Sequence, residues 1–291
     1  MVVNKHGSFY MRSGWGTKII QAVKEDNMIF SPSNEQAAID SIGLGRIMIK
    51  ALRYWSDVMG LTNEVKTQNG IRKEPTQLFE YIDKYDRYFQ RMGTMSLLHR
   101  NLALNVDEAT AWYWLFNEWN STTITKEEFS DGFHTYLAVN GMKIKKDAVD
   151  KEYNCVKNTY IGEKSFDLKT IMDEDTYPFL SPLKVLKTGE KKVLLKTHLN
   201  SREIPVELLI YCIAMDNRDQ NFEGNQISIE VLMEEKCQVG RYFNFRYSEL
   251  IDMLLEAENK RYIGLNNNFG NRYIEFIGYD YTSLLDKYFI G

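Results

Sequence analysis

The residues of this chain that could do chemistry are scattered. Four histidines, His6, His99, His134 and His198, fall in four separate segments, none at the His-x-x-x-His or His-x-Cys spacing that presents ligands to a metal. Cys155, Cys212 and Cys237 lie far apart with no Cys-x-x-Cys pair, which argues against a zinc site or disulfide framework and for a reducing, cytoplasmic compartment. Neither the Gly-x-x-x-x-Gly-Lys-Ser/Thr loop of P-loop ATPases nor the Gly-x-Ser-x-Gly of serine hydrolases occurs. No catalytic residue, metal ligand or cofactor is therefore assigned, and the expectation is a protein that is not itself an enzyme. One arrangement points the other way: Asp173, Glu174 or Asp175, then Glu190-Lys191-Lys192 before an apolar strand. It mimics the carboxylates and lysine of restriction-type nucleases, in which the carboxylates hold Mg²⁺. Among 40 acidic residues such a spacing arises readily by chance.

Basic residues are the more organised signal. Arg46, Lys50 and Arg53 recur at helical spacing, offset from a stripe of Met48, Leu52, Trp55 and Met59, so one helix carries a buried side and a cationic side. Lys66, Arg72 and Lys73 follow on two short strands about Asn69-Gly70, a hairpin turn signal. These six residues are the candidate nucleic-acid contacts. Lys143, Lys145 and Lys146 form a second basic patch where a later helix begins; cations there oppose the helix dipole, so the cluster reads either as a meeting point for phosphate or as a solvated surface. Trp112, Trp114 and Trp119 raise the possibility of a base-stacking platform, but helical spacing makes Trp112 and Trp119 core residues and leaves Trp114 pointing elsewhere.

The elements that must position these groups are mainly helical. A short helix with Ile19, Ile20 and Val23 on its apolar face precedes Ser31-Pro32-Ser33. Ser33 and Gln36 have capping-box spacing for a second helix, and Gly43-Leu44-Gly45 turns the chain into the third, from about Arg46 to Met59. Helix, helix, glycine turn, helix and basic hairpin is the order of a winged helix-turn-helix, whose third helix can enter the major groove. A tri-helical stretch follows: Asp107–Trp119, a helix opened by a Thr125/Glu128 capping box, and a helix with Val149, Tyr153, Val156 and Tyr160 inward. Residues 161 to 204 read as irregular with a strand at Lys192–Lys196, and helices resume at Pro205, which suits a first helical turn. Ile227–Glu235 and Ser248–Glu258 are further helices, the latter with Leu250, Ile251, Leu254 and Leu255 inward. A hairpin about Asn268-Gly270 and a helix over Tyr281–Tyr288 close the chain. The expected architecture is mainly α with small β-hairpin wings, as tandem winged-helix-like units: an N-terminal domain over 1–105, a tri-helical unit over 106–164 and a winged-helix-like domain over 165–291. The last has Glu249, Asp252, Glu256 and Glu258 on its helix face, which suits protein better than phosphate.

The order of several pieces resembles one bacterial family. They are Lys5-His6-Gly7-Ser8-Phe9, Gly14-Trp15, Ile42-Gly43-Leu44-Gly45-Arg46, Arg53-Tyr54-Trp55, Tyr85-Asp86-Arg87-Tyr88, Leu97-Leu98-His99, Ala111-Trp112-Tyr113, Phe116-Asn117 and Val239-Gly240-Arg241-Tyr242-Phe243. The family is known as domain of unknown function four-thousand-seven. The resemblance implies a setting in bacterial phage-defence loci, beside genes resembling those for DNA phosphorothioate modification, and carries over no catalytic residues. Tyr85-Asp86-Arg87-Tyr88 departs from an Asp-Pro-Tyr pattern and loses its rigid turn.

With a net charge of −4, the whole molecule is not a general polyanion binder, so any DNA contact is local. No stretch is apolar enough to span a bilayer, and the N-terminus lacks a secretory leader's apolar core. Three functions remain open. The first is a non-catalytic accessory protein of a defence or modification system that binds double-stranded DNA; the second an adaptor that recruits modification or restriction enzymes without touching DNA; the third a winged-helix transcriptional regulator.

Overall fold

The computed structural model describes residues 1–162, 177–218, 225–268 and 271–291. It is mainly helical with small antiparallel sheets. The chain divides into two compact units, the first comprising Met1–Leu115 and Ser121–Lys196, the second Phe116–Asn120 and Thr197–Gly291. The helices on either side of residue 105 belong to one unit.

Unit 1 opens with α1 (Trp15–Glu25), α2 (Glu35–Ile42) and α3 (Arg46–Val58), then the hairpin β1 (Thr62–Thr67) and β2 (Gly70–Pro75). Ser33 and Gln36 do not form the expected capping box. Pro32–Asn34 instead make a 3-10 turn, Asn34 precedes α2 without a side-chain cap, and Gln36 bonds Asp40 one turn on. Gly43 ends α2 at φ 71°, a left-handed conformation that glycine adopts without strain, so α3 can start three residues later. Leu52, Trp55 and Met59 are fully buried as the spacing requires, whereas Met48 is only half-buried and Ile49 takes the inward place.

The rest of unit 1 comprises α4 (Gln77–Tyr85), α5 (Met92–Leu104), α6 (Thr110–Tyr113), β3 (Thr123–Ile124), α7 (Lys126–Val139), α8 (Lys146–Tyr160), β4 (Leu186–Thr188) and β5 (Leu194–Lys196). The Thr125/Glu128 box forms: the Thr125 hydroxyl accepts from Glu128 N–H at 3.1 Å and Glu128 accepts from Thr125 N–H at 2.8 Å. After α6 the chain widens into a π-helical turn over Trp114–Glu118. That turn changes the phase expected for a continuous α-helix. Trp114 is thereby buried against Phe129 and Phe133, while Trp119 is only half-buried, so the one tryptophan expected to point elsewhere is a core residue.

Unit 2 contains α9 (Val206–Asn217), β6 (Gln226–Ser228), α10 (Ile229–Glu234), α11 (Val239–Tyr242), α12 (Tyr247–Asn259), β7 (Gly264–Asn268), β8 (Asn271–Glu275) and α13 (Ser283–Ile290). Pro205 caps α9 in an extended conformation rather than joining its first turn. The strands pair in the order β6-β8-β7, with β8 antiparallel to both neighbours. The tip of the β7–β8 hairpin, expected about Asn268-Gly270, includes 269 and 270, which lie outside the described residues. On α12 the inward residues are Leu250, Met253, Leu254 and Ala257, while Leu255, expected inside, is 45% exposed. No described helix is long and apolar enough to cross a membrane.

Candidate nucleic-acid interface

The six basic residues singled out in unit 1 do not behave as one set. Arg46 and Lys50 stand on the outer face of α3 with side chains about two-thirds exposed, sharing Glu35 at 2.6 and 3.7 Å. Such exposed pairs contribute little to stability, which leaves both cations free to exchange partners. Lys66 on β1 is exposed and has no ion pair among the described residues. Arg72 pairs with Glu74 on its own strand.

Lys73, expected on the phosphate-tracking surface, is instead fully buried. Its three N–H bonds are all spent: on Asp57 Oδ2 at 2.5 Å, Glu64 Oε2 at 3.0 Å and the Arg53 carbonyl at 3.2 Å. Arg53 in turn donates through Nε and Nη2 to the two oxygens of Glu64 at 2.7 and 2.6 Å, a bidentate fork. Two cations and two carboxylates thus clamp α3 to the hairpin. The Arg53 guanidinium holds the Glu64 carboxyl down at about 2. Burial pushes the Asp57 carboxyl above its ordinary range, with Lys73 and Thr62 pulling the other way. Hairpin register explains the sorting: Lys73 pairs with Glu64 and Arg72 with Val65. Side chains alternate along a strand, so Glu64 and Lys73 share the face toward α3 while Arg72 and Glu74 share the other.

The second patch is exposed throughout. Lys143, Lys145 and Lys146 stand at the start of α8, and Lys146 lies 3.4 Å from Asp131 in an exposed pair.

Further titratable side chains of unit 1 are buried among structural contacts. His99 is buried, with Nδ1 2.8 Å from the Tyr160 hydroxyl. His6 is also buried: Nδ1 accepts from Ser8 N–H at 3.0 Å, so Nε2 carries the proton donated to Glu152 at 3.1 Å. Glu152 accepts from Asn4 N–H as well, which ties the N-terminal segment to α8. No local pattern signals this pair, because its members are 146 residues apart. Burial, with Glu152 nearby, pushes the Cys155 thiol well up, away from thiolate chemistry. Among the described residues no group of three His, Cys, Asp or Glu side chains is placed to hold a metal ion. Glu190–Lys192 form an exposed 3-10 turn, and the nuclease-like acidic residues 173–175 lie outside the described residues.

Fold and charged face together define a mainly helical protein with a helix-and-hairpin surface on unit 1 and a three-stranded sheet in unit 2. The chain belongs to the family described as protein of unknown function (DUF4007), whose model matches residues 3–289. Two solved structures have a similar fold. The SspB crystal structure has TM-score 0.85 and 20% identity, and the magnesium ion-bound SspB crystal structure has TM-score 0.84 and 19% identity. Each similarity covers 99% of this chain and 87% of the other. No curated protein sequence matches the chain.

Proposed function

We propose that this protein is an accessory component of a bacterial phage-defence or DNA phosphorothioate-modification system, built from winged-helix units, in which unit 1 contacts double-stranded DNA. The observation that carries this reading is the pairing of an outward cationic helix face, Arg46 and Lys50, with an exposed cation on the neighbouring hairpin, Lys66, that has no ion pair among the described residues. The winged-helix assignment is supported by the order α1-α2-α3-β1-β2 in unit 1 and by the β6-β8-β7 order in unit 2, where three helices separate the first strand from the closing hairpin. The setting rests on the family and on the likeness to SspB. Charge supports a division of labour: unit 1 holds 27 basic and 24 acidic residues, unit 2 nine basic and 16 acidic. Phosphate suits the first.

Unit 2 fits a protein partner. Tyr247 and Leu255 are each 45% exposed at i and i+8 on α12, with the half-buried Ile251 between them and Asp252 and Glu256 alongside. An apolar stripe flanked by carboxylates matches a basic amphipathic segment of a modification or restriction enzyme. Binding of a labelled duplex across a salt series tests the DNA reading: affinity falling steeply with salt supports phosphate contact, and no binding at low salt leaves the adaptor role alone.

The magnesium in one SspB structure favours a second reading, metal-dependent cleavage of DNA, in which Asp173, Glu174 or Asp175 acts with Glu190 and the lysines Lys191 and Lys192. Incubation of supercoiled plasmid with the protein and Mg²⁺ decides it. Nicking lost in Glu190→Ala supports cleavage, and intact plasmid removes it.

A further inference from the structure

We infer that a cleft of about 460 Å³ in unit 1, beside the proposed duplex surface, is a binding site for a single nucleotide. Its walls come from the N-terminal segment, α3, β1 and the turn after α5, including Lys5, Lys50, Tyr54, Asn63, Asn105 and Glu108. The volume falls within the range of about 300 to 1,000 Å³ usual for small-ligand sites, and a duplex cannot enter it.

Charge in the cleft is nearly spent internally. Asp57 and Glu64 belong to the clamp with Arg53 and Lys73, and Glu108 is held by Lys5 at 2.6 Å. Lys50 is held only loosely, 3.7 Å from a Glu35 carboxylate that Arg46 also uses, and is about two-thirds exposed, so it can exchange that partner for one phosphate. The carboxamides are the unspent groups. Among the described residues Asn63 makes no side-chain hydrogen bond, and Asn105 uses only its oxygen, accepting from Glu108 N–H at 2.8 Å, which leaves its NH₂ to donate. The Asn63 carboxamide offers donor and acceptor side by side, the arrangement that meets a base edge with two hydrogen bonds, and Asn105 adds a donor beside it. The Tyr54 hydroxyl is committed to the Glu108 carbonyl at 2.9 Å, so this side chain contributes its ring rather than a polar group.

Base edge at Asn63 and Asn105 with phosphate at Lys50 suits either a free nucleotide or one turned out of a duplex. The second source rests on the DNA reading above; the first does not. The experiment uses the full chain and three probes: deoxyadenosine monophosphate by calorimetry, and by fluorescence anisotropy a fully paired duplex and the same duplex with one unpaired adenosine. A turned-out nucleotide is expected to raise affinity about tenfold over the paired duplex. The preference is lost in Asn63→Ala/Asn105→Ala, with paired-duplex affinity unchanged. Asn63→Ala alone, at an exposed position, serves if the double variant misfolds. Binding of the monophosphate, abolished by the same substitutions and without a preference between duplexes, supports the cleft for a free nucleotide. Binding of the monophosphate with neither duplex bound sinks the DNA reading and keeps the cleft. No monophosphate binding together with equal affinity for the two duplexes overturns the inference, as does a preference that survives in both Asn63→Ala and the double variant.

Discussion

The Lys73 ammonium lies 2.5 Å from Asp57 with its side chain completely buried, a strand lysine turned into the protein to reach a helix carboxylate. Removing one partner of a buried ion pair leaves the other charge without compensation, which costs more than the pair itself contributes. Lys73→Met is therefore expected to destabilise unit 1 by about 3 to 5 kcal/mol. Lys66→Met, on the same strand pair but exposed, is expected to change stability by less than about 0.5 kcal/mol. Urea unfolding of the two variants checks this, and equal midpoints contradict the clamp.

Acid should open the same clamp. The Arg53 hydrogen bonds hold Glu64 at about 2, below its ordinary 4.5, so the stability it contributes is complete above 4.5 and is lost as pH falls through 2. Asp57 has the opposite sign: burial raises it, and protonation relieves that penalty as pH falls. Glu64 has the larger shift. Glu64→Gln is expected to flatten the loss of stability between pH 4.5 and 2, read from urea midpoints at stepped pH. An unchanged acid limb would place the titration elsewhere.

Gly240 has a packing reason. A Cβ there would lie 2.4 Å from Met233 Cα and 2.5 Å from its carbonyl oxygen, both backbone atoms that cannot swing aside. Gly240→Ala is expected to cost about 1 to 3 kcal/mol through forced backbone shifts. Thermal melting shows it; a wild-type melting temperature would mean that α11 sits less tightly.

His6 is expected to latch the N-terminal segment. His6→Ala removes the donor to Glu152 and leaves a buried carboxylate with less compensation. Hydrogen exchange over residues 1–9 should quicken while α3 stays protected. Unchanged exchange would show that Asn4 and Lys5 suffice to hold it.

What the residues revealed in advance follows the range of the interactions. Local patterns were legible: the α3 stripe of Leu52, Trp55 and Met59, the Asn69-Gly70 hairpin, the Thr125/Glu128 cap, and the inward Val149, Tyr153, Val156 and Tyr160 of α8. The burial of Lys73 follows from hairpin register, which pairs it with Glu64, but a lysine reads as surface until its strand partner is counted. Trp114 departs from its expected place because a π-helical turn alters the phase on which the spacing depends. β6 spans only three residues, too few for alternation to show, so the pattern reads as part of the helix that follows. Phe116–Asn120 join unit 2 although its remainder begins at Thr197, a pairing that no local signal carries.

DNA contact by unit 1 is tested most directly through the residues that remain outward. Arg46, Lys50 and Lys66 are exposed and outside the clamp, so Arg46→Glu/Lys50→Glu/Lys66→Glu should fold normally, each exposed change costing within about 0.5 kcal/mol. The measurement is duplex affinity against salt for wild type and triple variant. Each lost phosphate contact removes about 0.9 from the slope of log affinity against log salt, so three give a wild-type slope steeper by roughly two to three units, with much weaker binding by the variant. Equal affinities and parallel slopes across the series would contradict DNA contact by this face.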